Sequence, residues 1–249
     1  MTAPGAWVRR FHPAPSAATR LICLPHAGGS AGFYFPVSRA LSPDVDVLAV
    51  QYPGRQDRSA EEAVTDLREL ADRITGAVLP FADRPVALFG HSMGAVLAYE
   101  IGLRLEAKAV PVPVVFVSGR RAPSRPGTES VHLRTDDGII AVLRELDGTE
   151  GGVLGDEELL RLVLPAVRAD FQAVETYQYR PGETLSCSIA AFAGEQDPRV
   201  EVSDVAAWAA HTTGGFDLRT FPGGHFFLSA HQPAVLAEIG GRLASVGSG

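Results

Sequence analysis

Chemistry in this 249-residue chain concentrates at Gly90-His91-Ser92-Met93-Gly94, a G-x-S-x-G pentapeptide. The apolar run Val86-Ala87-Leu88-Phe89 leads into it and a helical pattern follows from Ala95, which places it at a strand-to-helix turn. Such a turn holds Ser92 in a strained conformation with its hydroxyl raised at the end of the strand, and Gly90 and Gly94 leave the room it needs. A serine hydroxyl becomes a nucleophile only when a base takes its proton and an acid orients that base. Seven histidines compete to be the base. His225, in Pro222-Gly223-Gly224-His225-Phe226-Phe227, follows the last expected strand, where glycines free the loop and aromatic rings can fix the imidazole. His231 is expected to face solvent near the start of the last helix, and His12, His132 and His211 are read as surface residues. His26 and His91 are read as structural or supporting groups beside the site.

The acid should lie between Ser92 and His225 in the chain. Asp197, just past the apolar run Ile189 to Ala193, is preferred; Glu195 is its nearest rival, and Asp170 and Asp217 are read as structural. An anionic tetrahedral intermediate also needs two backbone N–H donors. Met93, after the nucleophile, is one. Ala27 is the other, in the glycine-rich Leu24-Pro25-His26-Ala27-Gly28-Gly29 that follows the first expected strand.

The elements that must position these groups alternate between short apolar runs and helical patterns, the signature of an α/β protein with a mainly parallel sheet. Strands are expected at Arg20 to Leu24, Val45 to Gln51, Val86 to Phe89, Val114 to Ser118, Ile189 to Ala193 and Asp217 to Phe221. Helices are expected at Ala60 to Leu79, Val96 to Glu106, Asp204 to Thr212 and Pro233 to Val246. From about Pro126 to Thr184 the alternation breaks, with helical patterns around Ile139 to Leu146 and over Asp156 to Tyr179. Pro165 should divide the second, since proline costs ~3 kcal/mol inside a helix. Gly148, Gly151, Gly152 and Gly155 form a flexible join, and the whole insertion is expected to act as a lid on a single domain spanning residues 1–249.

Composition narrows the function classes. With 29 acidic against 22 basic residues the net charge is −7, and all but one of the basic residues are arginines scattered along the chain, so a nucleic-acid partner is not expected. The longest apolar stretch, Val110 to Val117, carries two prolines and falls far short of the ~20 residues that cross a bilayer. Cys23 and Cys187 lie in apolar runs and belong to no CxxC pair, which suggests buried thiols and no structural metal. Ala109 follows the sole lysine, Lys108, where a P-loop requires Ser or Thr.

The chain resembles the type II, or external, thioesterases of polyketide and nonribosomal peptide synthesis. The resemblance rests on Leu24-Pro25-His26-Ala27-Gly28-Gly29 with Phe33 and Phe35, on Tyr52-Pro53-Gly54-Arg55 with Arg58, and on Gly90 to Ala95. Ser118-Gly119 with Ala122-Pro123, Ala169-Asp170-Phe171 running on to Tyr177 and Tyr179, and Gly223 to Leu228 add to it. It implies an α/β-hydrolase fold and a cytoplasmic enzyme, without cofactor or metal, that removes acyl groups from the phosphopantetheine arm of an acyl or peptidyl carrier protein. It carries over Ser92 as nucleophile, His225 as base, Asp197 as acid, and the Ala27 and Met93 amides as oxyanion donors. The competing expectations are a small-molecule carboxylesterase or lipase, an acyltransferase with the same triad, and a noncatalytic scaffold. Carrier proteins are generally acidic, as is this chain, so docking needs a local basic surface; Arg120, Arg121 and Arg125 are its candidates.

Overall fold

The computed structural model describes residues 6–125, 127–147 and 157–246. Among these, seven strands form one sheet: β1 (Val8–Arg9), β2 (Thr19–Leu24), β3 (Val45–Val50), β4 (Val86–His91), β5 (Val114–Ser118), β6 (Ser188–Gly194) and β7 (Phe216–Phe221). Their spatial order is β1-β3-β2-β4-β5-β6-β7, and all neighbours are parallel except β1, which pairs antiparallel with β3. The six expected strands are present, and β1 is an addition whose two residues are too few to leave a periodic pattern. Strand order reverses between β2 and β4, where Leu24 lies opposite Gly90 in register. The Ala27 loop and the Ser92 turn therefore leave the sheet side by side, at the switch point where open α/β sheets bind ligands.

The helices are α1 (Phe35–Leu41), α2 (Leu67–Val78), α3 (Met93–Glu106), α4 (Asp136–Asp147), α5 (Glu157–Glu175), α6 (Val202–Ala206), α7 (Phe227–Ala230) and α8 (Gln232–Val246). Successive strand residues point to opposite faces. Ile22, Leu48, Leu88 and Val115 pack with α2 and α3, whereas Leu21, Val47, Phe89 and Phe116 pack with α1 and α8. The expected helix at Ala60 starts only at Leu67, because Asp66 caps it by accepting the Glu69 N–H at 2.9 Å. Conversely α3 begins at Met93, three residues before the expected Val96, so Ser92 is its N-terminal cap residue.

Between β5 and β6 the described chain holds α4 and α5 and no strand. These helices share a satellite core of Val131, Ile139, Ile140, Val142, Leu164 and Val167. Pro165 does not divide the second helix, contrary to expectation. It lies on the exposed side of α5 between the buried Leu164 and Ala166, whose packing holds the helix together across the proline. The glycine join from Gly148 to Gly155 lies outside the described residues.

The far end of the insertion is tied to the core by Glu100, a carboxylate of α3 with no solvent exposure. It accepts hydrogen bonds from Arg68 on α2 at 3.2 Å, Arg104 at 2.5 Å and the Tyr177 hydroxyl, just past α5, at 2.6 Å. Burial, and then the Glu100 charge, push the Tyr177 phenol well above its usual range, so it stays protonated as a donor. Removing one member of a buried ionic cluster leaves its partners uncompensated and costs about 3–5 kcal/mol. Urea unfolding of Glu100→Ala should show a loss of that order; a loss below about 1 kcal/mol would mean that the cluster is not what secures this end of the insertion.

Candidate active site

Ser92 is the only residue between β4 and α3, and its backbone has φ 55° and ψ −117°. That conformation is unfavourable for a side-chain-bearing residue and persists only where surroundings impose it. The surroundings here are backbone. A Cβ at Gly90 would stand 1.9 Å from the Gly94 carbonyl oxygen, and one at Gly94 would stand 2.0 Å from that of Leu24. Both glycines are therefore obligatory for strand, turn and oxyanion loop to meet. The Ser92 N–H donates to Ser118 O on β5 at 2.8 Å, and the side chain remains partly accessible above the N-terminus of α3.

His225 stands in the loop after β7, with Nδ1 2.7 Å from Asp197 Oδ2 in the loop after β6. Both side chains are nearly sealed from solvent, at 4% and 1% exposure. Asp197 Oδ1 accepts the Arg199 N–H at 2.9 Å, so neither oxygen is idle. The two loops touch through backbone, since a Cβ on Gly194 would lie 2.4 Å from Gly224 O. Glu195, the rival acid, is exposed and bonded to Thr220 at 3.1 Å. Asp217 pairs with Arg242 at the surface. With Nδ1 committed to Asp197, Nε2 is the ring nitrogen left to exchange a proton. The His225 ring lies 4.9 Å from that of His91, which precedes Ser92 in the chain.

The loop after β2 is held at several points. Tyr34 and Tyr52 hydroxyls donate to the Leu24 and Pro25 carbonyls at 2.7 and 3.0 Å, and Arg55 Nη1 donates to Gly29 O at 3.0 Å. Gly28, at φ +77°, donates its N–H to Asp170 Oδ2 on α5 at 2.8 Å. Arg55 grips Asp170 with both terminal nitrogens, at 2.6 and 2.8 Å. Among the described residues neither the Ala27 N–H nor that of Met93, the first residue of α3, donates to a protein acceptor. Residue patterns reveal no role for Tyr34, Tyr52, Arg55 or Asp170 in this loop. The signals that mark them are the Pro53-Gly54-Arg55 stretch and a lone acid, Asp170, amid apolar helix residues.

His26 and His91 extend the site inward from His225. The His26 ring packs against Phe33 and Phe226 at 4.9 and 4.8 Å, and its Nδ1 is buried without a partner. His91 Nδ1 lies 3.0 Å from Ser118 Oγ and its Nε2 is buried without a partner. Burial, then repulsion from His225, drives His26 down to about 3 and His91 well below the usual histidine range. His211, expected at the surface, is 1% exposed among Tyr99, Tyr179 and Trp208. Its Nε2 meets Ser124 Oγ at 2.9 Å, and burial pushes it down to about 4. His12 and His132 are also half-buried, against Ser38 and Glu175.

Arg120, Arg121 and Arg125 all line one cavity of about 330 Å³, with Val96, Tyr177 and Tyr179. The chain that carries them leaves β5 with Gly119 N–H donating to Phe192 O at 3.0 Å. Burial and then Arg121 lower Arg120 to about 10, still charged at neutral pH. Arg121 is paired with Glu129 and donates to Arg199 O at 3.1 Å. Arg125 alone of the three is mainly exposed, 4.0 Å from Asp204.

The buried histidines make acid stability predictable. His26, His91 and His211 stay neutral when folded, whereas each titrates near 6.5 in the unfolded chain. Below that pH the unfolded state binds up to three more protons, so stability is fully present above 6.5 and falls as pH drops toward 4. Each histidine contributes up to about 1.4 kcal/mol per pH unit. Chemical unfolding between pH 6 and 4 should give a shallower slope for His211→Gln by about one proton's worth; an unchanged slope would show that His211 takes up its proton in the folded state.

Once this geometry is set beside known proteins, the lineage is plain. The model of the thioesterase domain matches residues 19–243. Thioesterase PikA5 of Streptomyces venezuelae is 47% identical over 241 residues, 96% of this chain and 86% of that one. A Streptomyces griseus protein named "Probable cadicidin biosynthesis thioesterase" is 53% identical over 237 residues, 95% of this chain but 66% of the relative. Among solved structures, the type II thioesterase BorB from the borrelidin biosynthetic cluster superposes with a TM-score of 0.93 at 51% identity, covering 98% of this chain and 100% of BorB. RedJ, the thioesterase of the prodiginine pathway in Streptomyces coelicolor, gives 0.87 at 35% identity over 93% of each chain. With an α/β-hydrolase sheet, a serine turn and relatives of this kind, the chain belongs to the thioesterase family, alongside the type II thioesterases of polyketide and nonribosomal peptide clusters, and is a hydrolase acting on thioesters.

Proposed function

We propose that this enzyme hydrolyses acyl groups from the phosphopantetheine arm of an acyl or peptidyl carrier protein, clearing stalled or misprimed chains from a synthase in the cytoplasm. The observation that carries the proposal is the sealed His225–Asp197 pair, whose imidazole lies 4.9 Å, ring to ring, from His91, the residue before the strained Ser92. Ser92 Oγ attacks the thioester carbonyl while His225 Nε2 takes its proton. Asp197 stabilises the imidazolium through Nδ1–H and keeps its own charge. The Ala27 and Met93 amides receive the oxyanion, and the positive end of α3 adds to them. Collapse breaks the C–S bond, and the pantetheine sulfur leaves with the proton held by His225. A thiol, with pKa ~8.5, leaves with little assistance. Water, deprotonated by His225, then attacks the acyl-serine; the second tetrahedral intermediate returns Ser92 and releases the acid. These steps use the chain's own groups and no cofactor.

In this reading α4 and α5 are the lid, and Arg120, Arg121 and Arg125, which line one cavity, contribute to carrier docking, with Arg125 the most exposed of the three. Ser92→Ala should remove hydrolysis of a carrier-linked thioester, and Asp197→Asn should lower kcat by about 10⁴-fold, the cost of the wrong histidine tautomer. The wild type should prefer carrier thioesters to matched oxygen esters. Preference for the simple ester would favour a carboxylesterase, and appearance of an amide or ester product would favour an acyltransferase. Arg125→Glu should raise KM for the carrier-linked substrate several-fold while leaving a free pantetheine thioester unaffected; equal KM values on the carrier would remove Arg125 from the docking surface.

A further inference from the structure

Asp170 belongs to the inserted helix α5, yet its carboxylate is 2% exposed and reaches the loop after β2, 142 residues earlier in the chain. We propose that Asp170, gripped by Arg55, is a positioning residue that sets the Ala27 oxyanion amide, so that the seating of α5 and the assembly of the oxyanion hole are one event. The proposal rests on the acyl-serine mechanism above.

Asp170 accepts the N–H of Gly28, which shares a peptide plane with the carbonyl of Ala27. Fixing that plane leaves the direction of the Ala27 N–H dependent on the two backbone dihedrals of a single residue. Arg55 holds the same turn from the other side, since the nitrogen that binds Asp170 Oδ2 also donates to Gly29 O. Loop donor and loop acceptor are thus bound to one ion pair. Steric contact reinforces it: a Cβ on Gly28 would lie 3.0 Å from Cγ2 of Val167, one turn before Asp170 on α5. Burial opposes the Arg55 charge, but Asp170 more than offsets it, and the guanidinium also lies 5.1 Å from the centre of the Tyr52 ring. Tyr52 in turn bonds Pro25 O, so the clamp runs through the whole loop.

A clamp of this design has a consequence beyond stability. A thioester carbonyl binds the hole weakly and its oxyanion binds it strongly, so a misdirected Ala27 amide lowers kcat more than it raises KM. It also makes lid seating a condition of turnover. A substrate that leaves α5 seated meets a complete hole, and one that pushes α5 away meets a single donor at Met93.

Asp170→Asn keeps an acceptor for Gly28 but leaves Arg55 without its charge partner, and Arg55→Lys keeps the charge but loses the two-pronged grip. For each variant and for the double variant, the test measures kcat and KM on a pantetheine thioester, inhibition by a trifluoromethyl ketone analogue, and the rate of Ser92 labelling by a fluorophosphonate. Each single variant should lose about 10–100-fold in kcat with KM within about threefold, and analogue affinity and labelling should fall by a matching factor. The double variant should be no worse than the weaker single, because the pair acts as a unit. If kcat, analogue affinity and labelling stay within about twofold of wild type while only the melting temperature drops, the clamp is structural and the proposal is wrong. Arg55→Lys decides the matter if Asp170→Asn does not fold. Wild-type enzyme inert toward every carrier thioester would refute the function proposed above, yet fluorophosphonate labelling would still measure the clamp.

Discussion

The close approach of backbone to backbone at the serine turn is the constraint on which the site depends. Gly90 has no room for a side chain against Gly94, and Gly94 has none against Leu24. That double contact draws β4, α3 and the end of β2 together at the reversal point of the sheet, forces the positive φ on Ser92, and sets the Met93 amide beside it. The same crowding at Gly194 and Gly224 brings the acid and base loops into contact. The four loops that carry the candidate site residues are thus fixed by main-chain sterics, with side chains completing what the backbone has already oriented.

Charge is distributed to match. Buried carboxylates that serve the scaffold are saturated: Glu100 by two arginines and a tyrosine, Asp170 by Arg55 and a backbone amide. Buried imidazoles around the site are held neutral, as His26 and His91 are, so neither adds a positive charge beside His225. Ring nitrogens of His26 and His91 are among the buried polar atoms left without a partner, and both rings border the His225 loop, His26 through Phe226 and His91 directly.

What was legible in the sequence was what is local. The strand-turn-helix around Ser92 and the positions of Asp197 and His225 just beyond strand ends need only short-range pattern and chain order. What was illegible depends on distant partners. Arg55 and Asp170 are 115 residues apart, and no periodicity joins them. His211 stands at the end of an alanine-rich run before Thr212-Thr213, and its burial comes from Tyr99 and Tyr179, distant in sequence, closing around it with Trp208. Pro165 does not break α5 because helix propensity is a property of the segment, whereas the packing of Leu164 and Val167 that overrides it is a property of the fold. The arginines after β5 are adjacent in sequence, but how deeply each is set depends on partners such as Glu129 and Asp204 that lie elsewhere in the chain.

The central claim is that the acyl group passes through Ser92. Rapid mixing with an acyl carrier protein substrate, acid quenching within milliseconds and mass analysis of the peptides tests it directly. The account predicts a transient acyl adduct on the peptide containing Ser92, rising as carrier thioester is consumed and decaying as free acid appears. Full-rate hydrolysis with the acyl mass on another residue, or hydrolysis that persists at full rate in Ser92→Ala, would contradict it.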